Sequence, residues 1–66
     1  MNKNEIPLNE KYVLSINEAA AYFGIGIKKM RRLAEDHTDS FGVKNGSHFL
    51  IIREKFQEFL TETESI

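Results

Sequence analysis

Within five residues, Lys28-Lys29-Met30-Arg31-Arg32, the chain places four positive charges and no negative one. An arginine guanidinium can fork onto O6 and N7 of guanine, and a lysine ammonium binds guanine or phosphate as a point charge. Such a cluster suits docking onto a polyanion, and above all onto double-stranded DNA, rather than making or breaking bonds. The net charge of −1 runs against this, because small DNA-binding domains are mostly basic. The total conceals a segregation. Residues 33 to 41 hold Glu35, Asp36 and Asp39 with no Lys or Arg, and residues 54 to 66 hold four acids against one Lys. Distribution, not sum, decides where a polyanion docks.

Little else in the chain could react. There is no cysteine, so neither disulfides nor a cysteine metal site can form. His37 and His48 lack metal-ligand spacing. No nucleophile stands beside a base, and no glycine-rich phosphate loop follows a strand. A chain of 66 residues is one small domain, too small for an enclosed pocket. The expectation is a protein that is not an enzyme and takes no cofactor, metal or small-molecule substrate. No apolar stretch approaches the roughly 20 residues that cross a bilayer. The N-terminus, Met1 to Asn9, lacks the basic-then-apolar order of a signal peptide. A cytoplasmic protein with no membrane partner is therefore expected.

The elements that must position the cluster can be read from the chain. Residues 1 to 11 are polar, carry Pro7, and are expected to form a flexible arm before a domain at 12 to 66. Tyr12-Val13-Leu14 is a short β-prone run. Ser15-Ile16-Asn17-Glu18 has the form of a capping box, in which Ser15 accepts from the Glu18 amide and Glu18 reaches back. It opens a helix with Ile16, Ala19, Ala20 and Phe23 on one face. Gly24-Ile25-Gly26 stops that helix, with Gly24 free to take positive φ. The next helix runs from about Ile27 to Asp36 or His37, with Ile27, Met30, Leu33 and Ala34 on its apolar side. At about 100° per residue, Lys28 and Arg32 point away from that side, Lys29 and Asp36 flank them on one edge, and Arg31 sits nearer the apolar boundary. Asn45-Gly46 lies between two β-prone runs and signals a hairpin in which both turn residues take positive φ. Arg53 to about Thr63 forms a last helix, with Ile52, Phe56, Phe59 and Leu60 in helical spacing. Strand, helix, tight turn, helix, hairpin, helix makes an α+β fold, a small winged helix-turn-helix. In that motif the second helix enters the major groove with its N-terminal residues toward the bases.

The same residues admit a plainer reading as a solvated helix face. Arg31 with Glu35, and Arg32 with Asp36, are i, i+4 pairs that contribute a few tenths of a kcal/mol each. That accounts for the arginines but not for Lys28 and Lys29. These stand in the first turn, where the helix dipole disfavours cations. A helix selected only for stability would carry acids there, so the pattern favours DNA. The hairpin is weaker evidence: Lys44 and His48 are its only potentially cationic side chains, with Asn45 and Ser47 its other polar ones. Phe49 and Ile51 alternate with Leu50 and Ile52, so both faces of that strand are apolar. One face is expected to cover the core, and the other to be packed by the last helix or the N-terminal strand or else left exposed, with cover by Tyr12-Val13-Leu14 pairing nearby as the favoured expectation. If it is left exposed, Leu50 and Ile52 would form the contact surface of a protein-interaction module.

The stretch Leu14-Ser15-Ile16-Asn17-Glu18-Ala19-Ala20-Ala21-Tyr22-Phe23-Gly24-Ile25-Gly26, then Lys29-Met30-Arg31-Arg32-Leu33-Ala34-Glu35, then Asn45-Gly46 and Phe56 to Leu60, resembles the excisionases of conjugative transposons. The likeness runs from about Ile6 to the C-terminus. Its commoner core, Glu18-Ala19-Ala20 followed by Arg31-Arg32-Leu33, also occurs across MerR-like winged-helix proteins, including phage excisionases and small regulators. A transcriptional regulator thus stays open as an alternative. The resemblance implies an architectural protein that binds near the ends of a mobile element and bends the DNA. It further implies assistance to a tyrosine-recombinase integrase in excision, with neighbouring excisionase protomers as further partners and no catalytic residue of its own. The family's major-groove helix maps onto Ile27 to Glu35, with Lys28, Lys29, Arg31 and Arg32 as contacts. Its wing maps onto Val43 to Leu50, with Lys44, Asn45, Gly46, Ser47 and His48 at the tip. Wings in that family are often basic, with arginines after the glycine. Ser47-His48-Phe49-Leu50 replaces them here, which implies weaker wing contacts or more reliance on neighbouring protomers.

Overall fold

The structure, a computed structural model, describes residues 6 to 66. A single 3-10 turn at Leu8–Glu10 precedes β1 (Val13–Ser15), α1 (Ile16–Phe23), α2 (Ile27–Asp36), β2 (Gly42–Asn45), β3 (His48–Ile52) and α3 (Arg53–Glu62). This is the expected α+β winged helix-turn-helix. Of the expected arm, residues 1 to 5 lie outside the described residues. Lys11 is tied at both ends: its Nζ donates to Glu18 Oε2 at 2.7 Å, and its carbonyl accepts from Arg53 Nε at 2.7 Å.

The capping box forms as its spacing predicts. Glu18 N donates to Ser15 Oγ at 3.1 Å, and Ser15 N donates to Glu18 Oε1 at 2.9 Å. These bonds satisfy two of the backbone groups a helix start leaves open. The Lys11 ammonium, and then the Ser15 amide, hold the Glu18 carboxyl below its ordinary value of 4.5. A carboxyl whose folded pKa is depressed stabilises the fold above its unfolded pKa, and that contribution is lost as pH falls through the folded value. Stability should therefore decline on acidification below about pH 4.5, and the decline should be shallower in Glu18→Gln, as read by urea midpoints across pH. Ser15→Ala should cost about 1 kcal/mol near neutral pH. α1 ends where expected, at Gly24 in the left-handed region (φ 69°, ψ 35°), and Ile25 N donates to Ala20 O at 3.0 Å.

The three strands form one antiparallel sheet in the order β1-β3-β2. β1 pairs edge to edge with β3, Leu14 opposite Ile51. The expected pairing of this segment near the last strand is thus found, but it extends the sheet in its own plane rather than lying over the second face of β3. Leu50 and Ile52 are nonetheless half-buried rather than open. The hairpin also departs from expectation. Asn45 pairs with His48, so the two turn residues are Gly46 and Ser47, and Gly46 alone takes positive φ (65°). A two-residue hairpin loop with glycine at its first central position meets the strand twist with one positive φ instead of two.

The core lies between the helices and one face of the sheet. Leu14, Ala19, Met30, Ala34, Phe41, Ile51 and Phe56 are completely buried. Ala19, Ala20 and Ala34 are small, so α1 and α2 can approach closely. Aromatic rings fill the rest. Phe56 lies 4.6 Å from Phe23 and 4.8 Å from Phe41 between centroids, and His37 stacks on Phe41 at 4.7 Å. Edge-to-face and offset contacts of this kind add to the burial itself. His37 Nδ1 also lies 2.9 Å from Leu33 O, so its surroundings are those of a packed ring at the end of α2.

Candidate nucleic-acid interface

α2 divides as its sequence predicts, with one exception. Met30 and Ala34 are fully buried and Leu33 half-buried, whereas Lys28, Lys29, Arg31, Arg32, Glu35 and Asp36 are exposed. The exception is Ile27, expected on the apolar side but 48% exposed. As the first helical residue it overhangs the turn, beyond the reach of the core.

The four cations are not consumed by neighbours on their own helix. Among the described residues the ion pairs are Lys11 with Glu18 and Arg53 with Glu54. Neither Arg31 with Glu35 nor Arg32 with Asp36 forms one. The plainer reading needs those pairs, and their absence weakens it. α2 also starts at Gly26 with no side-chain cap and no acid in its first turn. Two lysines in that turn oppose the dipole, at roughly 0.3–1 kcal/mol each when partly exposed. A helix start that is uncapped and cationic is poor for stability and good for meeting phosphate.

Arg31 lies apart from Lys28 and Arg32. It lines a groove of about 500 Å³ between the start of α1, α2 and the wing, shared with Asn17, Glu35, Ser47 and His48. The structure therefore brings Arg31 together with two of the candidate wing residues, Ser47 and His48. Lys44, Asn45 and Gly46 are exposed at the wing tip outside this groove. Lys29, on the other flank of α2, donates from Nζ to the main-chain oxygen of Ile66 at 2.7 Å. Sequence reasoning did not single out Asn17. Its place beside Arg31 depends on how the wing packs on α1, and only the capping box marks that helix start locally.

Among the described residues no group of three or more His, Cys, Asp or Glu could hold a metal ion. No described helix is long and apolar enough to cross a membrane.

The family model described as the excisionase from transposon Tn916 matches residues 1–66. An excisionase from transposon Tn916 in Streptococcus agalactiae serotype V (strain ATCC BAA-611 / 2603 V/R) is 37% identical over 67 residues, covering 100% of both chains. No solved structure matches significantly. A match over all of the chain, on a winged helix whose second helix bears the cations, is decisive: this chain belongs to the Tn916 transposon excisionase family.

Proposed function

We propose that this chain is an architectural excisionase. It binds duplex DNA near the ends of a mobile element through α2, bends it, and assists a tyrosine-recombinase integrase in excision. Neighbouring protomers on the DNA extend the complex, and the chain itself supplies no catalytic group. It acts in the cytoplasm, where the element's DNA lies. The observation that carries this is the cationic ridge of Lys28 and Arg32, exposed on α2 and free of ion pairs on its own helix. Lys28 and Arg32 face the bases, and Lys29 and Arg31 reach phosphates on either side. The wing tip, Lys44 to His48, lies against the backbone and contributes less, having one lysine and no arginine.

A mobility shift with the element's end sequences, at two salt concentrations, tests the reading. Binding should weaken steeply with salt, with log K falling by about 0.9 per phosphate neutralised. Circularly permuted probes should show bending, and adding the protein should stimulate integrase-driven excision. Binding at a promoter without bending, and without effect on excision, would instead favour a transcriptional regulator. A protein-interaction surface on Leu50 and Ile52 has less support, because both are half-buried.

A further inference from the structure

The face of α2 proposed to meet DNA is already touched on one flank by the chain itself. Lys29 Nζ donates to the main-chain oxygen of Ile66 at 2.7 Å, across 37 positions. α3 ends at Glu62, and Thr63 is extended (φ −106°, ψ 130°). The last residues therefore leave α3 and return to the first turn of α2. Two residues span at most about 7 Å even when fully extended, so Glu64 lies close to the Ile66–Lys29 contact, within a Debye length of about 8–10 Å. At about 100° per residue, Lys29 falls to one side of Arg32 and Arg31 to the other. The wing groove thus occupies one flank of the ridge and the tail occupies the opposite one. The tail carries Glu62 and Glu64 and no cation.

We propose that residues 62 to 66 are an intramolecular competitor of DNA phosphate. They rest on Lys29 in the free protein and are displaced when the DNA backbone takes that lysine. This inference rests on the DNA-binding reading of α2. Displacement weakens every complex, so lasting occupancy falls to sites that add base contacts from Lys28 and Arg32 or a bound protein neighbour. The net charge of −1 and the tail act in the same direction.

The test uses the full chain and a duplex of arbitrary sequence. Glu62→Gln with Glu64→Gln should bind about three- to tenfold tighter at low salt, the gain shrinking as salt screens it. Glu10→Gln with Glu58→Gln is the charge-matched control. Both residues are exposed and unpaired among the described residues, and this pair should gain clearly less. In a Lys29→Ala background the tail substitutions should do no better than the control pair. Amide relaxation should find residues 63 to 66 ordered in the free protein and released on adding DNA. Equal gains from the two charge pairs, or a tail as mobile free as bound, would overturn the competitor and leave DNA binding standing. No shift by any variant at low salt would overturn the DNA reading and the competitor with it.

Discussion

Replacing Lys28 and Arg32 together by alanine should reduce affinity for the element's end sequence about a hundredfold or more, with the fold intact. Both side chains are exposed, and among the described residues neither is in an ion pair. Surface changes of this kind usually shift stability by no more than about 0.5 kcal/mol. Removing Lys28 from the first turn even relieves an unfavourable interaction with the helix dipole. The loss on the DNA side is far larger. A bidentate arginine on guanine discriminates against the wrong base by about 1–3 kcal/mol, and each phosphate lost lowers the salt slope by about 0.9. The single variants should differ in kind. Arg32→Ala should relax preference at one base pair. Arg31→Ala, acting from the wing groove, should weaken all sequences alike and flatten the salt dependence by about 1. Titrations at several salt concentrations, beside circular dichroism, separate these outcomes. Wild-type affinity in the double variant would remove α2 from the interface.

The parts of this design that were legible in the chain are those set within a few residues. Ser15 and Glu18 are three positions apart, and a capping box needs nothing further. Gly24 ends α1 because a left-handed residue is required there and glycine adopts it without strain. The hairpin was legible in place but not in register. Pairing is fixed by which residues face the core, and Leu14, Gly42 and Ile51 share that row, so the turn falls on Gly46-Ser47. Ile27 satisfies the helical period, yet period says nothing about where a core ends. Arg31 has Glu35 at pairing distance in sequence, but a bond of a few tenths of a kcal/mol cannot hold a side chain that has a groove to enter. The groove itself, and the return of the tail to Lys29, join residues distant in sequence. No local signal encodes either.

Gly42→Ala should lower stability by about 3 kcal/mol, the upper end of the usual cost of overpacking. For a domain of this size that corresponds to a fall in melting temperature of about 12–24 °C. Gly42 stands at the start of β2, where its N–H donates to His37 O at 2.8 Å. A Cβ there would collide with the carbonyl oxygen of Ala34 and lie 3.0 Å from that of His37. Both are backbone atoms at the end of α2, so no side chain can swing aside. The φ of Gly42 is not positive, so alanine meets no conformational strain, and a stiffer unfolded chain would by itself favour the variant by about 0.4–1 kcal/mol. The net loss is therefore steric. Gly46→Ala is the contrasting control: φ is 65° and nothing lies within 4 Å, so its cost is the left-handed penalty of about 1–2 kcal/mol. A Gly42→Ala melting point within a few degrees of wild type would mean that α2 and β2 separate freely. The consequence reaches the proposed function, because this close approach ties the wing to α2. Forcing β2 off the end of α2 moves Ser47 and His48 relative to Arg31. DNA affinity should then fall in Gly42→Ala even at temperatures where the variant is fully folded, though none of the proposed contacts has been changed.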